Sequence, residues 1–124
     1  MSTAKKTILI IDDEPTQVKL LHTKLADHGY EVYSSTEASE GLQLAFDKRP
    51  DLIILDVMMP IINGYNICRL LKTEARDMRV SVIMLTSRDE QEDLEIGQQA
   101  GADAYLTKPV NMELFLSTVS RILQ

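Results

Sequence analysis

The stretch DLIILDVMMP, residues 51–60, contains an unbroken apolar run that ends in one carboxylate. The run is LIIL, residues 52–55, and Asp56 follows it directly. Short continuous apolar runs are typical of parallel strands that are covered on both faces. The stretch therefore predicts a buried central strand with a single acid at its carboxyl end.

Comparable segments before and after residues 52–55 indicate further strands of the same sheet. Residues 8–11 and 82–85 are similar apolar runs, and residues 31–33 and 104–106 are weaker strand candidates. Between them, apolar residues recur at helical spacing. Such alternation indicates a parallel sheet with right-handed crossovers and helices on both faces. We predict an α/β fold: a flavodoxin-like, doubly wound five-stranded parallel sheet in the order 2-1-3-4-5, with five helices.

Length and charge set the domain count and the class of partner. The 124 residues favour one domain, 1–124, in which we expect residues 1–6 to be flexible. The net charge of -6 argues against direct nucleic-acid binding. Cys68 has no second cysteine to pair with, and no segment has signal-peptide or membrane-spanning length. We therefore expect a cytoplasmic protein that does not contact a membrane.

Polar residues follow the predicted strands at the point where each strand ends. Asp12 and Asp13 follow the first strand, and Asp56 and Thr86 end the third and fourth strands. Lys108 follows the fifth strand. Carboxyl ends of parallel strands share one edge, and ligands bind there, where the strand order reverses. We therefore expect these five side chains to lie near one another.

These side-chain types suit phosphoryl transfer. Three neighbouring carboxylates repel, and a hard cation such as Mg²⁺ relieves the repulsion. Lys108 and Thr86 can bind phosphate oxygens, and a carboxylate such as Asp56 can form an aspartyl phosphate. Taken separately, Asp12 and Asp13 could simply cap the first helix, and Lys108 could be a solvated surface lysine.

Four motifs in this order carry a family resemblance: IIDDEP (10–15), LIILDVMMP (52–60) with Gly64 downstream, MLTSR (84–88) and GADAYLTKP (101–109). Together they resemble the receiver domain of two-component response regulators, also called CheY-like, over residues 7–123. The resemblance implies a signalling switch that is activated by phosphorylation. It also implies that the protein phosphorylates and dephosphorylates itself and is not an enzyme with a turnover substrate.

The resemblance implies a role for each residue at the predicted edge. Asp56 matches the phosphoacceptor, and Lys108 matches the lysine that contacts the phosphoryl group. Thr86 and Tyr105 match the hydroxyl and the aromatic side chain that move on activation. In this family the peptide bond before the position of Pro109 is usually cis.

The resemblance also implies a site for Mg²⁺ (or Mn²⁺). Asp13 matches the direct ligand, and Asp12 matches the acid that acts largely through metal-bound water. Asp56 also belongs to the metal site, and Met58 matches the residue whose backbone carbonyl completes it. Met58 and Arg88 match the positions that tune loss of the phosphoryl group. Both side chains are bulky and could hinder an attacking water, so we expect a phosphorylated state that is not unusually short-lived.

The partners follow from the same resemblance. The phosphodonor would be a sensor histidine kinase or a phosphotransfer protein. The output would be a downstream effector or a fused output domain, bound through the fourth predicted helix, the fifth strand and the fifth predicted helix. The protein would be a monomer or a phosphorylation-dependent dimer. The apolar residues 57–59 and 61–62 either pack under a loop or form a patch where a kinase or phosphotransfer domain docks.

Three other functions are compatible with parts of this pattern. A phosphatase of the haloacid dehalogenase type also forms an aspartyl phosphate, but its nucleophile follows the first strand in an Asp-x-Asp pattern, and here Asp12 and Asp13 are adjacent. A flavodoxin-like FMN protein shares the strand order, but three acids at residues 12–14 would repel the flavin phosphate. A degenerate receiver that only binds partners would not need the full set of site residues.

Overall fold

Five strands form one parallel sheet in the computed structural model, which describes residues 5–57, 67–68, 71, 80–86 and 101–124. The strands are β1 (Thr7–Ile11), β2 (Glu31–Ser35), β3 (Leu52–Asp56), β4 (Ser81–Thr86) and β5 (Ala104–Thr107). Their order is β2-β1-β3-β4-β5, and each neighbouring pair is parallel. The predicted fold class and strand order are confirmed. The expected flexibility of residues 1–6 falls largely on residues 1–4, outside the described part of the chain.

The interior strands are those with the longest apolar runs. β3 is buried along its whole length, including Asp56, and β4 is buried from Val82 to Thr86. Isoleucine, leucine and valine fill these strands because their side chains pack well on a pleated surface. The edge strand β5 is only partly buried, as expected for a strand with a neighbour on one side.

Three helices have defined bounds: α1 (Pro15–Asp27), α2 (Ala38–Lys48) and α3 (Met112–Ile122). Pro15 stands in the first turn of α1, where a missing N–H costs nothing. Gly29 closes α1 with a positive φ of 92°. α3 is the fifth helix of the prediction. Residues 67, 68 and 71 are helical as predicted, and the rest of the third and fourth predicted helices lies outside the described residues.

Alternate side chains of the sheet enter two hydrophobic cores, one on each face. One core joins Leu9, Ile11, Ile53 and Leu55 to α2 and to the helical residues Ile67, Cys68 and Leu71. The other joins Ile8, Ile10, Leu52 and Ile54 to α1 and α3. Helices therefore cover both faces of the sheet, as predicted. Among the described residues, none of the helices has both the length and the apolar character that crossing a membrane requires.

The end of β1 is held by a close approach of α2. A Cβ atom added at Gly41 would lie 2.7 Å from Cγ1 of Ile11, so only glycine allows this helix to pack at its present distance. One residue further on, the Asp12 N–H donates to the Ser35 carbonyl oxygen at 3.2 Å. These contacts determine where the chain leaves the sheet after β1, and therefore where the side chain of Asp12 lies.

Candidate functional site

Three carboxylates meet at the carboxyl edge of the sheet. β1 and β3 pair with Ile11 opposite Leu55, so Asp12 and Asp56, which follow those residues, leave the sheet side by side. Each of Asp12, Asp13 and Asp56 offers a carboxylate oxygen, and these oxygens lie within 4.8 Å of one another. Asp12 and Asp56 are buried, and Asp13 is partly exposed. The structure thus brings together the three acids that the sequence placed at this edge.

Lys108 reaches this cluster from the end of β5. Its Nζ lies 3.0 Å from Asp12 Oδ2 and 3.5 Å from Asp56 Oδ1. The same Nζ donates a hydrogen bond to Glu14 Oε1 at 3.1 Å. A single ammonium therefore offsets the charge of two buried acids and one exposed acid.

The environment keeps the Lys108 side chain protonated. Burial lowers the pKa of the ammonium, but the side-chain contacts with Asp12 and Glu14 and the charges of Asp12 and Asp56 raise it more, so the net pKa is above the usual value. Lys108 is consequently a permanent cation at neutral pH. A permanent cation next to Asp56 can offset the charge of an incoming phosphoryl group.

Thr86 and Tyr105 lie on neighbouring strands beside the acids. Thr86 is buried at the end of β4, and its carbonyl oxygen accepts a hydrogen bond from the Lys108 N–H at 2.6 Å. Tyr105 pairs with Met84 in the sheet, is partly buried and packs against the core on the α2 face. The Lys108–Pro109 peptide bond is cis, as expected. Met58 and Arg88 lie outside the described residues.

The acidic cluster has the donor set of a hard divalent cation. Mg²⁺ takes oxygen ligands, and commonly one or two carboxylates. Among the described residues, Asp12 Oδ2 is buried without a hydrogen bond of acceptable geometry, and its contact with Lys108 is an ion pair. An acid in this situation has capacity for a further positive partner. The side chains present therefore fit a bound Mg²⁺ ion.

Comparison with known families decides the assignment. The family model described as response regulator receiver domain matches residues 8–120. The chain belongs to the response regulator receiver family. Receiver domains of this family are phosphorylation-activated switches of two-component signalling. These findings give no support to the haloacid dehalogenase alternative.

This receiver domain is similar to a protein of about its own length and to a protein about twice as long. It is 37% identical to PilH of Pseudomonas aeruginosa over 116 residues, which cover 94% of this chain and 96% of PilH. It is 38% identical to the alkaline phosphatase synthesis transcriptional regulatory protein PhoP of Bacillus subtilis over 119 residues, or 96% of this chain. The chain spans 49% of PhoP, about half its length.

A solved structure agrees with the fold of this receiver domain. The chemotaxis protein CheY4 of Vibrio cholerae superposes with a TM-score of 0.89 and 31% sequence identity. The superposition covers 96% of this chain and 99% of CheY4. Strand order and layer arrangement are therefore those of the family.

Sequence reasoning did not give Glu14 a role in the receiver site. Its position directly after Asp12 and Asp13 was the only available signal, and that position suited a helix N-terminus equally well. The contact with Lys108 joins residues that are 94 positions apart. Such a contact depends on the direction of two flexible side chains, which periodicity and motif spacing do not specify.

Magnesium is expected to stabilise this receiver domain against heat. A cation that binds only the folded state at about 100 times its dissociation constant adds about 2.7 kcal/mol to the free energy of unfolding. We expect the melting temperature to rise on addition of MgCl₂ in wild type, much less in Asp13→Asn, and as in wild type in Asp47→Asn, which changes an exposed acid of α2. An equal rise with NaCl at matched ionic strength would contradict a specific site.

Proposed function

We propose that this domain accepts a phosphoryl group on Asp56 from a phosphohistidine of a sensor histidine kinase or a phosphotransfer protein. One observation carries the proposal: carboxylate oxygens of Asp12, Asp13 and Asp56 lie within 4.8 Å of one another, beside the Lys108 ammonium. Phosphoryl transfer requires mainly positioning and charge compensation, and this arrangement supplies both.

Asp56 is the best placed of the three acids to act as the nucleophile. It is the last residue of the buried strand β3, which holds it rigidly. Asp12 and Asp13 are instead an adjacent pair that directly follows β1, which is better suited to holding a metal ion. In the reaction an Asp56 oxygen forms a bond to phosphorus, the bond from phosphorus to the histidine nitrogen breaks, and its electron pair returns to the imidazole.

Mg²⁺ or Mn²⁺ is the cofactor that we propose for this reaction. Asp12, Asp13 and Asp56, with the backbone carbonyl of Met58, would hold it. When bound, such an ion offsets negative charge on the acids and on phosphoryl oxygens. The chain's own contribution is Lys108, which holds a fixed positive charge next to Asp56, and Thr86, whose hydroxyl can donate to a phosphoryl oxygen.

Thr86 and Tyr105 are the residues through which we propose that phosphorylation changes partner binding. They lie on adjacent strands, and the Lys108 N–H donates a hydrogen bond to the Thr86 carbonyl oxygen. A phosphoryl group that engages Lys108 and Thr86 would therefore act directly on the ends of β4 and β5. The face that includes β5 and α3 is then the natural surface for a downstream effector, a fused output domain or a second copy of the domain.

The remaining parts of the proposal concern the domain as a whole. Residues 1–124 act as one receiver domain whose self-phosphorylation and autodephosphorylation are single events for each signal rather than substrate turnover. The domain functions in the cytoplasm, in keeping with a sequence that contains a single cysteine. Its net charge of -6 disfavours contact of this domain with nucleic acid.

Incubation with acetyl phosphate and Mg²⁺, followed by intact mass spectrometry, tests the proposal. We expect an adduct of one phosphoryl group that is lost on brief treatment with alkali or hydroxylamine, as an acyl phosphate is. A parallel sample with excess EDTA should show little adduct. The proposal fails if wild type forms no adduct, or if the adduct is stable to hydroxylamine.

A further inference from the structure

Glu14 lies at the N-terminus of α1, but its side chain does not cap the helix. It is the N-cap residue of α1, and its side chain makes no capping hydrogen bond. Its own N–H donates to Asp12 Oδ1, and its Oε1 accepts from Lys108 Nζ at 3.1 Å. The carboxylate is therefore directed across the site toward the lysine.

Three carboxylates share the Lys108 ammonium; its contact with Glu14 is a hydrogen bond, and its contact with Asp12 is an ion pair. A lysine ammonium has three protons. Three carboxylate oxygens surround it, on Asp12 at 3.0 Å, Glu14 at 3.1 Å and Asp56 at 3.5 Å. A phosphoryl oxygen on Asp56 would be a further acceptor. The proton that Lys108 donates to Glu14 cannot at the same time be donated fully to that oxygen.

Exposure decides which contact yields most easily. The side chain of Asp12 is 1% exposed, so water cannot replace Lys108 beside it. The side chain of Glu14 is 63% exposed, so water can solvate it as soon as the lysine leaves. Breaking the Glu14 contact therefore costs little, in the range of an exposed ion pair. The free energy needed to break this contact nevertheless weakens the binding of a phosphoryl group by the same amount.

We propose that Glu14 is a positioning residue that holds Lys108 in the unphosphorylated state and competes with the phosphoryl group for its ammonium. The proposal rests on the proposed function of Asp56. Glu14 does not touch the phosphoryl group; it acts through Lys108. Removing the contact is therefore expected to strengthen binding of a phosphoryl mimic and to speed phosphorylation.

The chain contains a matched control for this residue. Glu37 is also a glutamate, is also an exposed N-cap residue, at the start of α2, and likewise makes no side-chain capping hydrogen bond. Glu14 differs from it by the hydrogen bond to Lys108. The same substitution at both positions therefore separates the lysine contact from effects of charge loss and of changed helix capping.

The test measures beryllofluoride affinity by calorimetry at saturating Mg²⁺, together with the initial rate of phosphorylation by acetyl phosphate. The variants are Glu14→Gln, Glu14→Asp, Glu37→Gln and Glu37→Asp. Aspartate keeps the charge but is one methylene shorter, so it withdraws the carboxylate from Lys108. We expect about two- to five-fold tighter binding, and a rate raised by a similar factor, in both Glu14 variants. Both Glu37 variants should match wild type. Urea unfolding midpoints report any change in folding separately.

Each other outcome has a definite meaning. Unchanged or weaker binding in Glu14→Gln would overturn the proposal. Tighter binding in Glu14→Gln with wild-type binding in Glu14→Asp would also overturn it, because charge alone would then explain the effect. If wild type neither binds beryllofluoride nor takes a phosphoryl group, the proposed function itself fails, which is a different result from failure at Glu14.

Discussion

Asp56→Asn is expected to abolish the phosphoryl adduct that wild type forms with acetyl phosphate and Mg²⁺. Asparagine has nearly the shape of aspartate, but its amide is neutral and a poor nucleophile for phosphorus. Asp56 lies at the end of a strand that is buried throughout, so the neighbouring acids cannot move into its place without disturbing β3. Intact mass spectrometry over a time course should show no adduct above background.

The fold of Asp56→Asn should be retained, so loss of the adduct can be assigned to chemistry. The substitution removes one of three mutually repelling carboxylates, and Lys108 keeps its contacts with Asp12 and Glu14. The urea midpoint is therefore expected to equal or exceed that of wild type. Asp27→Asn, at the last position of α1, serves as the charge-matched control and should form the adduct normally. If Asp56→Asn formed as much adduct as wild type, the phosphoacceptor would be another acid.

Lys108→Met is expected to have the second largest effect, on both phosphorylation and stability. Methionine keeps much of the side-chain length but removes the charge next to Asp12 and Asp56. Loss of one fixed donor at a developing negative charge typically slows a reaction by about 100-fold. Without the cation two buried carboxylates lose one charged partner, and breaking a buried ion pair costs about 3 kcal/mol. The initial rate of adduct formation and urea unfolding in EDTA would measure the two effects.

An exposed lysine of α1 supplies the comparison for Lys108. Lys19→Met removes the same charge from the surface and should leave the rate and the urea midpoint close to those of wild type. Adding Mg²⁺ should return part of the lost stability to Lys108→Met, since a divalent cation also offsets the acids. A Lys108→Met protein with wild-type phosphorylation kinetics would show that the ammonium does not assist the transfer.

The sheet could be predicted from sequence because its strands differ sharply from their surroundings. The unbroken runs at residues 8–11, 52–55 and 82–85 lie within β1, β3 and β4. The weaker candidates at 31–33 and 104–106 lie within β2 and β5. The ends of the strands were harder to predict, because a polar residue such as Ser35 or Thr107 continues a strand through backbone pairing that its side chain does not reveal.

The position of the acids could also be predicted, because parallel topology alone places strand ends at one edge. Which of the acids Lys108 contacts, and at what distances, could not be predicted. Whether its ammonium contacts Asp12, Asp56 or Glu14 depends on rotamers and on distances of 3.0–3.5 Å, which sequence spacing does not determine. The close approach of α2 at Gly41 was hidden for a similar reason, since its partner Ile11 lies on another element.

The distribution of charge over the strands has a consequence for synthesis on the ribosome. Asp12 and Asp56 are translated with the first and third strands, whereas Lys108 follows the last. A nascent chain that stops before β5 must bury two acids without their cation, which opposes closure of the sheet. Synthesis of β5, Lys108 and α3 is then what makes closure favourable. Truncations that remove Lys108 also remove α3 with its core residues Phe115 and Val119, and should abolish folding abruptly, whereas trimming beyond α3 should be tolerated.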